Sequence, residues 1–66
     1  MIKKQFGGYI VQRKNPDGTK VNRFMYVRTI YSGRAGYVTD YGRAKVYKTK
    51  AAALAVDQKL DAGEIV

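Results

Sequence analysis

The chain has 66 residues, 45% of them hydrophobic and 27% charged, a balance that suits one small folded domain over residues 1–66 and leaves no room for a second core. It contains no cysteine and no histidine, which removes disulfides, thiol nucleophiles, imidazole bases and the usual zinc and transition-metal ligand sets. Thirteen Lys and Arg against five Asp and Glu leave a formal charge of +8, and that excess points to a polyanion or an acidic protein surface as partner.

Residues 1–7 read as a tail. Met1-Ile2-Lys3-Lys4 carries charge with no apolar run behind it, so no signal peptide is expected. No stretch approaches the roughly 20 apolar residues that cross a bilayer, and a cytoplasmic setting without membrane attachment follows. Tyr9 to Lys14 is rich in strand formers and ends at Asn15-Pro16-Asp17-Gly18, where Asn, Pro and Gly each suit a position of a hairpin turn. The second strand, Thr19 to Tyr31, is apolar on both parities, as in a strand covered on both sides or twisted through a small barrel. Ser32-Gly33-Arg34-Ala35-Gly36 reads as a loop, Tyr37-Val38-Thr39 as a short strand, and Asp40-Tyr41-Gly42 as a turn. Arg43 to Tyr47 alternates large or basic residues with small apolar ones, the pattern of a half-buried strand. Thr49 occupies an N-cap position before an alanine-rich helix over about 50–62, which Gly63 stops.

These elements predict an α+β fold: an antiparallel sheet of three to five strands, opened by a hairpin and packed by one C-terminal helix. Pairing about a tight Asn15–Gly18 turn aligns Tyr9 with Met25. Tyr9, Val11, Val21, Met25 and Val27 then lie under the helix, while Lys14, Lys20, Phe24, Tyr26 and Arg28 occupy the other face. With Ala44 and Val46 toward the helix, Arg43, Lys45 and Tyr47 join that other face. On the helix, Ala52, Ala53, Val56 and Leu60 share one arc and Leu54 falls outside it, toward Asp57 and Asp61, two aspartates that read as a solvated face.

Chemistry concentrates in the basic and aromatic residues. Six Tyr and two Phe are interleaved with Lys and Arg, as in Arg23-Phe24-Met25-Tyr26-Val27-Arg28. Cationic side chains neutralise phosphates and release counterions, while planar rings on a sheet stack bases. The expected contact set is Lys14, Lys20, Arg28, Arg43 and Lys45 for DNA or RNA phosphate, with Phe24 and Tyr26 for base or sugar and Arg34, on a glycine-flanked loop, reaching a groove or the backbone. The five carboxylates are scattered over turns, helix and tail, no Ser or Thr has an evident base beside it, and no glycine-rich phosphate loop is present. Neither catalysis nor a cofactor nor a metal is expected. Arg34 to Tyr41 has the flavour of an RRM signature with the wrong aromatic spacing, in a chain too short for that fold.

Ala44-Lys45-Val46-Tyr47-Lys48-Thr49-Lys50-Ala51-Ala52-Ala53 resembles the tail of short phage and prophage proteins, where an Ala-Lys-Val-aromatic-Lys-Thr strand end leads into an alanine-rich helix. Positions 51 and 52 depart from it, holding Ala where acidic helix starters are frequent. The resemblance implies a phage-encoded protein acting in a bacterial host cell. In element order the chain is also similar to the arm-binding domains of tyrosine recombinases, which place a sheet in the DNA major groove. Small archaeal chromatin proteins, similar in length and charge, use a sheet face on the minor groove. No motif of either family is present.

A second reading is an inhibitor that binds a host protein, such as a CRISPR-Cas defence complex or a polymerase, and its acidic or nucleoprotein surface would meet Leu54, Tyr37 and Tyr47. A third is a dimer formed through the long second strand.

Overall fold

In the computed structural model, which describes residues 1–16 and 23–66, four strands follow one another across an antiparallel sheet. They are β1 (Ile2–Gln5), β2 (Gly8–Lys14), β3 (Phe24–Tyr31) and β4 (Arg34–Val38), in the order β1-β2-β3-β4. A 3-10 turn, Tyr41–Arg43, and helix α1 (Lys50–Asp61) follow. This is the α+β arrangement of sheet plus C-terminal helix that the sequence predicts.

Two of the hairpins close through two-residue turns whose central residues both have positive φ. They are Phe6 and Gly7 (55° and 74°) between β1 and β2, and Ser32 and Gly33 (51° and 74°) between β3 and β4. That is the turn whose twist matches the flanking strands. Both correct the sequence reading. Residues 1–7 are not a tail: Ile2–Gln5 pairs with β2, with Ile2 opposite Val11 and Gln5 opposite Gly8. Arg34, Ala35 and Gly36 are not loop but the start of β4, because Ser32-Gly33 is already a complete turn.

β2 and β3 pair as Gln12 with Tyr26, Arg13 with Met25 and Lys14 with Phe24. The ladder is four residues away from the expected Tyr9–Met25 register, and Asn15, whose N–H donates to the Arg23 carbonyl at 2.9 Å, keeps to the same register. Asp17, Gly18, Lys20 and Val21, and with them the expected turn exit and the start of the second strand, lie outside the described residues. A displacement of four is even, so among the described residues of the two strands no side chain changes face in this ladder.

The face under α1 carries the core. Val11, Val27 and Ala53 are fully buried, and Ile2, Tyr9, Ile30, Tyr37, Tyr47, Val56 and Leu60 pack around them. Val27 and Ile30 have opposite parity in β3 yet both point to the helix, because the β3–β4 pairing slips between Val27 and Thr29 and Arg28 bulges out of the ladder. The apolar residues on both parities that suggested a two-sided strand are therefore, in part, one face read across a bulge.

Residues 44–47 do not form a strand of the sheet. They enter a fork between the start of β2 and the middle of β3. Tyr9 and Tyr47 exchange backbone hydrogen bonds of 2.8 and 2.7 Å, and Lys45 N–H donates to the Val27 carbonyl at 2.9 Å. Bridge partners share a face, so Tyr47 follows Tyr9 toward the helix, reversing the expected orientation of this segment. Buried Ala44 and exposed Val46 lie on the opposite side, where Ile10 of β2 is fully buried. The fork needs Gly8: a Cβ there would lie 2.5 Å from the Tyr47 carbonyl oxygen and 2.6 Å from Val46 Cγ1.

Helix α1 starts as expected, with the Thr49 hydroxyl accepting from Ala52 N–H at 3.2 Å, and ends at Gly63 with φ 77°. Its sheet-facing stripe differs from the expected arc: Asp57 is buried and Ala52 is exposed.

Candidate nucleic-acid interface

The sheet face turned away from α1 presents alternate residues of the two central strands. Lys14 and Phe24 sit opposite each other, as do Gln12 and Tyr26. Phe24 is 46% exposed, and Lys14 is exposed beside it. Tyr26 is half-buried because the ring of Tyr41 meets it edge-on, centroids 6.1 Å apart. Tyr41 in turn stacks on Phe6, with centroids at 5.9 Å and planes 20° apart. Phe6 and Tyr41 are 57% and 51% exposed, so the three rings form a ridge open to solvent from the β1–β2 turn to β3, and Phe24 continues it along β3.

The 3-10 turn that carries Tyr41 is fixed at both ends. Asp40 caps it, its carboxylate accepting from Gly42 N–H at 2.9 Å. Arg28, released from the ladder by the bulge, donates from Nη1 to the Arg43 carbonyl at 2.9 Å. Arg28 and Arg43 are both exposed and flank the rings. Lys3, in register with Ile10, adds a further exposed cation on this face.

Two described members of the expected set stand apart from the rings. Lys45 belongs to the helix side, where its ammonium sits 5.4 Å from the Tyr47 ring centroid, because the Tyr9–Tyr47 bridge sets the phase of its segment. Arg34, opposite exposed Tyr31, shares the outer face but stands at the far end of β3, five residues or about 17 Å of strand from Tyr26. Lys20 is outside the described residues. Lys14, Phe24, Tyr26, Arg28 and Arg43 are gathered on one side.

Two aspartates, Asp57 and Asp61, lie on the opposite side. Arg13 Nη1 donates to Asp57 at 2.8 Å and to Asp61 at 2.7 Å, and the Met1 ammonium reaches Asp57 at 2.9 Å. Burial pushes the Asp57 carboxyl up, but the hydrogen bonds from Met1 and Arg13 outweigh it and hold the group below the usual carboxylate range. Desolvation likewise opposes the Arg13 charge, and the two aspartates more than restore it. Asp57 is thus 9% exposed and paired, not part of a solvated face.

The residues expected at a protein partner do not form one surface. Leu54 is 40% exposed on α1, whereas Tyr37 and Tyr47 are half-buried against the core, where burial raises both phenols above their ordinary range. A cleft of about 300 Å³ opens between Arg13, Tyr37, Leu60 and Ile65, but its guanidinium is already committed to Asp57 and Asp61.

No family model, curated protein or solved structure matches the chain. Among the described residues, no helix is long and apolar enough to cross a membrane, and no group of three Asp or Glu side chains could hold a metal ion. What the outer face offers chemically is ring surface and positive charge.

Phe6, Tyr41 and Lys3 are the residues that the sequence reading missed. Phe6-Gly7 between two strand-like runs was the available signal: a two-residue turn would have made residues 2–5 a strand and placed Phe6 at its tip.

Proposed function

We propose that this chain is a non-enzymatic nucleic-acid-binding domain whose contact surface is the sheet face opposite α1. The observation that carries this reading is the exposure of Phe24, Tyr41 and Phe6 on one side together with Lys14, Arg28 and Arg43, while Asp57 and Asp61 turn to the other side to meet Arg13. Rings open to solvent and cations that meet no carboxylate among the described residues are the two components of phosphate-backbone and base contact.

A fluorescence-anisotropy titration of labelled oligonucleotides at several salt concentrations tests it. The logarithm of affinity should fall with log salt by about 0.9 per phosphate neutralised on duplex DNA, or about 0.7 on a single strand. Lys14→Gln, Arg28→Gln and Arg43→Gln should each flatten that slope by about one phosphate's share. Absence of micromolar binding to DNA and RNA at low salt overturns the reading.

A host-protein partner is the second reading, and Leu54, exposed on a helix whose other large apolar residues, Val56 and Leu60, pack inward, is the observation in its favour. Capture from lysate that survives nuclease and is lost in Leu54→Asp would support it; equal capture by the variant would not.

A further inference from the structure

Phe6 occupies a position that its own backbone disfavours. Its φ of 55° places a bulky side chain in the left-handed region, at the first central position of a two-residue hairpin turn, where Asn, Asp or Gly is the favoured occupant. Its ring gains little burial in return, since it remains 57% exposed. The contact it does make is with Tyr41, itself exposed and fixed by Asp40, by the Arg28 bond to the Arg43 carbonyl, and by the edge of Tyr26. A strained aromatic that stays in water and is braced by a second aromatic suggests a surface kept for a flat partner.

The exposure of the rings narrows the partner. Phe6 and Tyr41 stack on each other yet remain 57% and 51% exposed, and Tyr41 meets Tyr26 edge-on. A base can lie against such rings only with its own face open, which the continuous stack of a paired duplex denies and an unpaired strand allows. Resting on the reading above, we infer that the ligand of this face is single-stranded nucleic acid, with the Phe6–Tyr41 pair as its stacking platform. Lys14, Arg28 and Arg43 follow the backbone beside the rings. Selectivity for unpaired bases then comes from ring surface, and the electrostatic share of binding is independent of it.

The experiment compares a labelled 12-nucleotide single strand, as DNA and as RNA, with the matching duplex, for the native chain and for Phe6→Asn, Phe6→Tyr and Tyr41→Leu. Either single strand should bind at least about 10-fold tighter than the duplex at matched salt. Phe6→Asn and Tyr41→Leu should each lose roughly 10-fold on the single strand. Their plots of log affinity against log salt should be displaced but parallel to the native one, since no cation is removed. Phe6→Tyr should keep native affinity. Phe6→Asn should melt no lower than the native chain, because Asn suits the turn, so its loss of binding cannot be read as unfolding. Tyr41→Leu checks the platform from its other side. Equal or tighter duplex binding, or native affinity in Phe6→Asn and Tyr41→Leu, overturns the inference and leaves the nucleic-acid reading standing. Failure of every oligonucleotide to bind removes both.

Discussion

At Gly8 the requirement is space, since any side chain there runs into backbone. The nearest atom to an added Cβ would be the Tyr47 carbonyl oxygen, which the Tyr9 N–H already holds at 2.8 Å and which cannot swing away. Gly8→Ala should therefore cost about 1–3 kcal/mol, the range of overpacked interiors, measurable as a lower urea midpoint. Asp57 makes a second residue-scale contrast. It is nearly buried and bonded to two cations, whereas Asp61 shares the same arginine from an exposed position. Bonds to charged groups in such a setting are worth about 1.5–3 kcal/mol, and exposed pairs about 0–1. Asp57→Asn should thus destabilise the fold clearly more than Asp61→Asn in parallel urea titrations. Reversal of that order would mean that burial does not decide the strength of this pair.

At the scale of elements, α1 is short at 12 residues and has no acidic residue in its first turn, so its start depends heavily on the Thr49 cap. Thr49→Ala should lose about 1 kcal/mol, and Thr49→Ser or Thr49→Asp should retain most of it, by thermal melting. Local signals of this kind were plain in the sequence: the cap, the helix and the Gly63 stop appear within a residue of their expected places. The faces of β2 and β3 were legible too, because alternation survives a register displaced by four residues. Non-local features were not. That residues 45–47 wedge between two strands depends on Gly8 and Tyr9, some forty positions away, and no periodicity within Arg43 to Tyr47 encodes it. The Arg28 bulge hid in the same way, since one extra residue makes a single apolar face look like two.

For the molecule as a whole, the seam of Arg13, Asp57 and Asp61 ties helix to sheet and sets the acid limit of stability. A carboxyl held below its usual range in the folded state contributes stability that is complete above the unfolded value, about 3.9, and is lost as pH falls through the folded value. The stability gap between the native chain and Asp57→Asn should be equal at pH 7 and pH 5 and should narrow at pH 3. A gap that stays constant to pH 3 would place the acid sensitivity on other groups. The candidate site was half legible at this scale: composition and interleaving pointed to Lys14, Phe24, Tyr26, Arg28 and Arg43, but Tyr41 and Phe6 join them only through the path of the chain over the sheet.

The bulge at Arg28 has a bearing on how this sequence can change length. On either side of it, Val27 and Ile30 already face inward with Thr29 outward, so removing that single codon would restore unbroken alternation and invert nothing downstream. Elsewhere in β2 or β3 the loss of one residue turns every later side chain inside out. A one-residue deletion in descendants of this chain should therefore be tolerated within the central strands at this spot, at the expense of the tether that steadies the Tyr41 turn.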